Sequence, residues 1–217
     1  YDGAPVSSSF RSQLSEQIET LRDWDYRWDV ESVATSLATY WAEDMMQRVA
    51  QAAQNASVPV ATYIAQLATR EEHLEALNAA TDLLTDEFGD WRTPWGDINR
   101  FQRINGDIQQ PFSDTEPSIP VGFHSGRWGS LASFGARRYP GTVRRYGTSG
   151  NSFVAVVEFG ERVTALAITA GGESGDPDSP HFNDQAERYS QGDLRPVYFY
   201  PEDILEHAEE TYMPGNR

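Results

Sequence analysis

The stretch NSFVAVVEFGERVTALAIT, residues 151–169, decides the fold of the second half of this chain. It consists of two runs rich in β-branched and aromatic residues on either side of a short polar turn, which predicts a β-hairpin. Because side chains alternate between the two faces of a strand, Val154, Val156 and Glu158 share one face. Glu158 is therefore a carboxylate at an otherwise apolar strand position, and it is the first candidate functional residue.

The segment that follows, AGGESGDPDSPHFNDQ at residues 170–185, is acidic and rich in glycine and proline. Its aspartates Asp176, Asp178 and Asp184 raise the question of a calcium loop, since Ca²⁺ binds several oxygen ligands from a flexible loop. Two prolines interrupt the alternation of ligands that such a loop needs. The sequence favours a loop in which Asp and Ser side chains cap the turns of their own backbone, with no metal bound by this chain.

The other signals of the second half also favour strands and loops. Asn105-Gly106 predicts a tight hairpin turn with positive φ values. The run RPVYFY, residues 195–200, predicts a further strand, and PEDILEHAEETY, residues 201–212, predicts a closing helix. Residues 91–217 are therefore predicted to form a strand-rich part with a closing helix.

Residues 1–90 follow a helical period instead. Apolar side chains recur at helical spacing from Phe10 to Leu21, from Val30 to Val49 and from Val60 to Leu84, which predicts amphipathic helices. The cluster of Gly, Pro and Asp at residues 86–97 predicts the end of this helical run. The fold class is thus predicted as α+β, with a helical first half and a β-hairpin-rich second half.

The composition limits the class of function. With 217 residues, 39% of them hydrophobic, the chain can bury a sizeable core. A formal charge of −16, in a chain whose basic residues are all arginine, argues against a nucleic-acid partner and an anionic membrane surface. No apolar run approaches the roughly 20 residues of a membrane span, so membrane insertion is not expected. The absence of cysteine excludes disulfide and thiol chemistry.

The residues alone leave two catalytic readings to weigh. His124 has Ser125 and Ser130 nearby, but the sequence around it lacks the strand-turn-helix elbow that exposes a nucleophile, so a serine triad is disfavoured. Glu158 either turns to solvent or pairs with an arginine such as Arg162, or else it holds and polarises a catalytic histidine. On the residues alone, the first reading is favoured, in which the carboxylate turns to solvent or pairs with an arginine.

Three segments carry a family resemblance. Residues 172–185 follow the pattern G-x-S-x-x-P-x-S-x-H-[YF]-x-D-Q, and an R-P-V run follows at residues 195–197. The segment that begins LRDWDYRWDVES at Leu21 is similar to L-x-x-W-D-G-x-x-x-x-D-S, with Tyr26 where Gly is usual and Glu31 where Asp is usual. The stretch TPWGDINR is similar to a W-G-D/H stretch. Together these segments resemble the C-terminal part of the β chain of the penicillin acylase family, the N-terminal-nucleophile (Ntn) hydrolases that include penicillin, cephalosporin and acyl-homoserine-lactone acylases.

The resemblance implies a fold and an activity. The chain, residues 1–217, would form the C-terminal portion of an Ntn-hydrolase α-β-β-α sandwich. The full enzyme would be an amidohydrolase that cleaves the linear amide of an N-acylated small molecule, such as a β-lactam antibiotic, a quorum-sensing acyl-homoserine lactone or a lipopeptide. Its nucleophile would be the N-terminal serine of the β chain, freed by autocatalytic processing of a zymogen. That serine is not in this sequence, so we expect the fragment alone to be inactive.

The resemblance also assigns one residue and several partners. In cephalosporin-acylase-type members, a glutamate in the strand that matches Glu158 hydrogen-bonds a histidine near the start of the β chain, which implies that Glu158 orients a histidine outside this chain. Substrate-binding residues stay unknown. No cofactor is expected in this chain, and any structural calcium would lie elsewhere in the full enzyme.

Partner polypeptide is expected on two grounds. The sequence begins at Tyr1, which suggests a processed or excised piece, and strands that belong to a larger sheet would leave exposed edges in isolation. The partners implied by the family are the α chain and the N-terminal part of the β chain, in the periplasm or outside the cell. The alternative from a different class is a stand-alone, non-catalytic acidic binding or scaffold domain.

Overall fold

The computed structural model describes residues 8–213 and 215; Tyr1 lies outside them. The chain divides into two compact units between Gly150 and Asn151. Each unit has its own sheet, and each is described by itself below.

The first unit begins with the helical run predicted from the sequence. The first predicted helix is observed as two, which meet at the buried Leu14, and the third is split at residues 67–69. Thr69 causes this split because it begins a new helix with a capping box: its hydroxyl accepts a hydrogen bond from the Glu72 backbone N–H at 3.2 Å, and the Glu72 carboxylate accepts one from the Thr69 N–H at 2.7 Å. The helices are α1 (Ser8–Gln13), α2 (Ser15–Arg22), α3 (Val33–Asn55), α4 (Val60–Gln66), α5 (Arg70–Phe88) and the short α6 (Trp95–Ile98).

The helical run ends where the sequence predicts. Helix α5 stops at Phe88, and Gly89 follows it in the left-handed conformation with φ 88°, which glycine adopts without steric cost. Helices α3 and α5 pack against each other and form most of the apolar core. The buried members of that core are Leu14, Leu37, Tyr40, Leu74, Leu77, Ala80, Leu84, Trp91, Trp95 and Ile98.

The first unit also contains a four-stranded sheet of order β2-β1-β4-β3. Its strands are β1 (Asn99–Phe101), β2 (Ile119–Pro120), β3 (Phe134–Arg137) and β4 (Arg145–Gly150). Strand β1 pairs antiparallel with β2 and parallel with β4, and β3 pairs antiparallel with β4. The parallel pair joins segments that are far apart in the sequence.

The prediction of a tight hairpin turn at Asn105-Gly106 is wrong. Strands β1 and β2 do pair, but the connection between them runs through residues 102–118, and neither Asn105 nor Gly106 has a positive φ. The Gln110 side chain organises this connection instead. Its amide oxygen accepts hydrogen bonds from the Ile104 and Asn105 backbone N–H groups, at 2.7 and 3.1 Å.

The second unit is built on the predicted hairpin. Strands β5 (Phe153–Glu158) and β6 (Thr164–Thr169) pair antiparallel, so the β-hairpin predicted over residues 151–169 is confirmed. The strand predicted at residues 195–200 is reduced to β7 (Arg195–Pro196), which pairs with the other side of β6. Two helices complete the unit: α7 (Ala186–Gln191) and the predicted closing helix α8 (Pro201–His207).

The α+β class predicted from the sequence is confirmed. The compact units divide at Gly150, whereas the predicted change at residues 90–91 marks only the end of the helical run within the first unit. Among the described helices, none combines the length and the apolar character that a membrane crossing requires.

Candidate functional site

Glu158, the candidate site residue, is the last residue of β5. The backbone register places it opposite Thr164, at the turn end of the hairpin. Its side chain is exposed, and among the described residues it forms no hydrogen bond or ion pair. The Glu158 carboxylate is therefore available to a group that this part of the chain does not supply.

The surface around Glu158 is apolar. Val156 is 57% exposed, Phe159 is 84% exposed, and Leu166 on the neighbouring strand is 43% exposed. Folded proteins bury most β-branched and aromatic side chains of a sheet, so a sheet that leaves them in water is typical of a surface that another polypeptide covers. The opposite end of the hairpin is different, because Ala167 and Ile168 are buried there.

The arginine considered as a partner for Glu158 binds elsewhere. The Arg162 guanidinium donates to the Glu202 carboxylate at 2.7 Å and to the Asp203 carboxylate at 2.7 Å, both at the start of α8. It also lies over the Tyr200 ring, with 3.9 Å between the guanidinium carbon and the ring centroid, well within the about 6 Å of a cation–π contact. Arg162 thus fastens α8 to the hairpin turn and leaves Glu158 unpaired.

The acidic loop caps itself, as the sequence predicts. The Ser174 hydroxyl accepts from the Asp176 N–H at 3.1 Å, the Asp176 carboxylate accepts from the Asp178 N–H at 3.0 Å, and the Ser179 hydroxyl accepts from the His181 N–H at 3.2 Å. Of the three aspartates considered as calcium ligands, Asp176 is engaged with the backbone of its own loop, and the Asp184 carboxylate lies 2.9 Å from the His181 Nδ1. Over residues 8–213 and 215, no group of three or more His, Cys, Asp or Glu side chains is placed to hold a metal ion.

The loop is also fixed to the strand before it. Gln185 is buried, its backbone N–H donates to the Gly171 carbonyl at 3.0 Å, and its side-chain oxygen accepts from the Thr169 N–H at 3.3 Å. At Gly172, a Cβ atom would collide with the backbone carbonyl of His181. These contacts give the loop a structural role in the second unit.

His124 lies in a part of the first unit where the sequence offered only a serine-histidine hypothesis. Neither Ser125 nor Ser130 forms a hydroxyl–imidazole hydrogen bond with it: the Ser125 backbone N–H donates to the His124 Nδ1 at 2.7 Å, and the Ser130 hydroxyl donates to the Ala132 carbonyl at 2.8 Å. The Nε2 atom is buried and has no hydrogen-bond partner among the described residues. The structure therefore holds no serine-histidine pair at this position.

Tryptophans surround the His124 ring. Trp95 stacks on it with ring centroids 4.8 Å apart, and Trp28 and Trp128 meet it edge-on at 5.1 and 5.9 Å. Burial lowers the pKa of His124 to about 4, and the positive charge of Arg145 acts in the same direction. His124 is thus a neutral core histidine at physiological pH. The sequence around His124 carries no signal of this burial, because the three tryptophans come from separate segments.

Arg145 forms the most buried ion pair of the first unit among those described. Its guanidinium donates two hydrogen bonds to the Glu43 carboxylate, at 2.7 and 2.8 Å, and lies over the Tyr40 ring with 4.5 Å to the centroid. Burial by itself would lower the pKa of Arg145, but the hydrogen bonds and charge of Glu43 outweigh it and raise this pKa. Burial raises the pKa of Tyr40 to about 12. The pair joins β4 to α3.

The comparison with protein families settles the relationship of this chain. The family model described as penicillin amidase matches residues 4–206, which is most of the sequence. The chain belongs to the penicillin amidase family. The resemblance seen in the sequence motifs is confirmed, and with it the assignment of the α+β chain to the Ntn-hydrolase fold.

Membership of this family indicates a hydrolase of the acylase, or amidohydrolase, type. Members are typically processed into more than one chain, which fits a surface prepared for further polypeptide. One backbone conformation agrees with the motif given above, which has glycine at the position of Tyr26. Tyr26 has a left-handed backbone with φ 63°, a conformation that glycine adopts most easily.

Proposed function

We propose that this chain is part of an acylase that hydrolyses the linear amide bond of an N-acylated small molecule of the β-lactam, acyl-homoserine-lactone or lipopeptide type. The reaction uses an N-terminal serine outside this chain, so the chain alone is inactive. The serine oxygen attacks the amide carbonyl and forms an ester, the amine leaves with a proton, and water then hydrolyses the ester to a carboxylic acid. Family membership supports this proposal.

Within that enzyme, Glu158 acts as a positioning residue for a histidine outside this chain. The observation that carries this role is an unpaired carboxylate on an apolar, exposed sheet. In water such a carboxylate is stable, but burying it under further polypeptide costs free energy unless a hydrogen-bond donor or a cation faces it. A histidine is a partner of this kind, and the carboxylate would hold its tautomer and orientation beside the nucleophile.

The rest of the enzyme supplies the other parts. The α chain and the N-terminal part of the β chain provide the serine, whose own α-amino group acts as the base, and the oxyanion hole. Autocatalytic cleavage of a zymogen exposes that serine, and the mature enzyme acts in the periplasm or outside the cell. This chain binds no cofactor, and any structural calcium lies in another part of the enzyme.

The test is Glu158→Gln in the complete, processed enzyme. This change keeps the shape of the side chain and removes its charge, so we expect kcat to fall by about 10- to 100-fold with little change in KM. The size of the product burst from acyl-enzyme formation counts the active sites, so that kcat refers to matured enzyme alone. Glu161→Gln, an exposed carboxylate in the turn of the same hairpin, is the matched control and should keep the wild-type kcat.

The two variants separate the possible outcomes. A loss of kcat in Glu158→Gln alone supports the positioning role. Equal kcat values in Glu158→Gln, Glu161→Gln and wild type would return Glu158 to the role of a surface carboxylate. If the processed enzyme hydrolyses none of the three classes of acyl amide, the amidase proposal itself fails, and a binding or scaffold function replaces it.

A further inference from the structure

The helical part of the first unit contains an apolar pocket that the amidase proposal does not use. Its volume is about 410 Å³, within the range of about 300–1,000 Å³ that is usual for small-molecule sites. Helices α2, α3 and α5 and the segment after α2 form its walls. The apolar lining residues are Ile18, Leu21, Trp24, Ala38, Trp41, Leu74 and Leu77.

The aromatic part of the wall is held in place by contacts within the unit. The Trp41 indole N–H donates to the His73 carbonyl at 3.1 Å, and the His73 ring stacks on Trp41 with centroids 5.6 Å apart. On the other side of the pocket, Trp24 contacts the Tyr26 ring at 5.4 Å, and the Trp24 indole N–H donates to the Arg27 carbonyl at 3.1 Å. A wall fixed in this way is formed before a ligand arrives, which lowers the entropy cost of binding.

One cation lines this pocket. Arg22 is exposed, and among the described residues it forms no hydrogen bond or ion pair. Its neighbours in the same unit are engaged: Arg48 binds the Asp44 and Glu75 carboxylates at 3.0 Å each, and Arg92 binds Glu16. The Arg22 guanidinium is therefore available to an anionic ligand.

The lining of the pocket favours one class of ligand. Apolar walls together with the Arg22 guanidinium favour a ligand with a hydrocarbon body and one anionic oxygen group. A cationic ligand would be repelled by Arg22, and a ligand that is polar throughout would leave the apolar walls without a partner.

We infer that this pocket binds an apolar monocarboxylate of the medium-chain fatty-acid type. The alkyl chain lies against the leucine and tryptophan walls, and the carboxylate pairs with Arg22. The inference does not rest on the proposed amidase activity, because it uses only residues of this chain and a binding measurement. Its failure would leave the amidase proposal untouched.

The test is a titration of the full 217-residue chain with octanoate. All six tryptophans precede Gly150, and Trp24 and Trp41 line the pocket, so tryptophan fluorescence reports binding to the first unit. We expect saturable binding of octanoate, weakened about two- to fivefold in Arg22→Gln, as an exposed charge pair allows. Arg70→Gln, which changes an exposed arginine outside the pocket, is the matched control and should bind octanoate as wild type does.

Two further measurements test the pocket and the choice of anion. Ala38→Phe places a ring in the space between the walls and should abolish octanoate binding, with circular dichroism showing that the helices are retained. The neutral alcohol 1-octanol should bind wild type and Arg22→Gln equally well. The inference is overturned by absence of octanoate binding at its solubility limit, by equal affinities of Arg22→Gln and wild type for octanoate, or by undiminished binding to a folded Ala38→Phe.

Discussion

His124 should make the stability of the first unit depend on pH. In the folded chain burial lowers its pKa to about 4, against an ordinary value of 6.5. Between these values the unfolded chain binds a proton that the folded chain does not, so the free energy of unfolding falls as the pH falls from about 6.5 to about 4. At 1.36 kcal/mol for each pKa unit, the loss from this one residue is about 3 kcal/mol. Above about pH 6.5, His124 is mostly neutral in the folded and the unfolded chain, so its titration removes none of the free energy of unfolding there.

The perturbation that isolates this effect is His124→Phe. The phenyl ring keeps the stack on Trp95 and cannot titrate, although it loses the hydrogen bond from the Ser125 N–H. The variant should therefore be less stable than wild type at neutral pH by about 1 kcal/mol or more. Its disadvantage should shrink by about 3 kcal/mol, or reverse, as the pH falls toward 4.

The assay is urea unfolding followed by tryptophan fluorescence, at pH values from about 7 to about 4. The quantity compared is the difference in unfolding free energy between the two proteins at each pH, because this difference cancels the titration of the remaining acidic groups. The same change at the partly exposed His73 controls for replacing an imidazole with a phenyl ring in this unit. Parallel curves for wild type and His124→Phe would refute the reasoning.

Three further predictions concern single positions. Tyr26 has a left-handed backbone, so Tyr26→Gly should be more stable than Tyr26→Ala by about 1 kcal/mol in urea unfolding, although glycine is normally the less stable of the two; the opposite order would contradict the strain at this position. Thr69→Ala removes the capping box of α5 and should lower the free energy of unfolding by about 1 kcal/mol, while Thr69→Ser should retain it. Gly172→Ala would push a Cβ atom against the His181 carbonyl, so limited proteolysis should cut the loop at residues 171–185 faster than in wild type; an unchanged rate would show that the loop can give way without cost.

The sequence predicts those helices and strands whose pattern of apolar residues lies within a single segment. Helix α3 and the β5–β6 hairpin follow directly from the spacing of their apolar residues, which repeats with the helical period in α3 and combines with β-branched runs and a polar turn in the hairpin. The split between α4 and α5 depends on the capping box formed by Thr69 and Glu72. The apolar pattern continues through this position without a break, so it predicts a single helix. The prediction of a hairpin turn at Asn105 is wrong because the Gln110 side chain accepts hydrogen bonds from the backbone at this position and fixes a different conformation.

The residues of the candidate site also differ in how far the sequence predicts them. Glu158 could be located from strand alternation, but the partner implied for it lies in polypeptide that the sequence does not contain. The surroundings of His124 could not be predicted from spacing, since Trp28, Trp95 and Trp128 reach it from three separate segments. Burial of this kind is a property of the assembled unit, and no local pattern encodes it.

The parallel pairing of β1 with β4 has a consequence for how the first unit folds. Asn99 and Arg145 become neighbours only after the whole connection between them has been closed into a loop, which costs entropy before any strand contact repays it. Helices α3 and α5 need a much shorter closure, so they can assemble early. We therefore expect the sheet to complete the unit as a slower step, with the ion pair between Arg145 and Glu43 joining strand β4 to helix α3 at that stage.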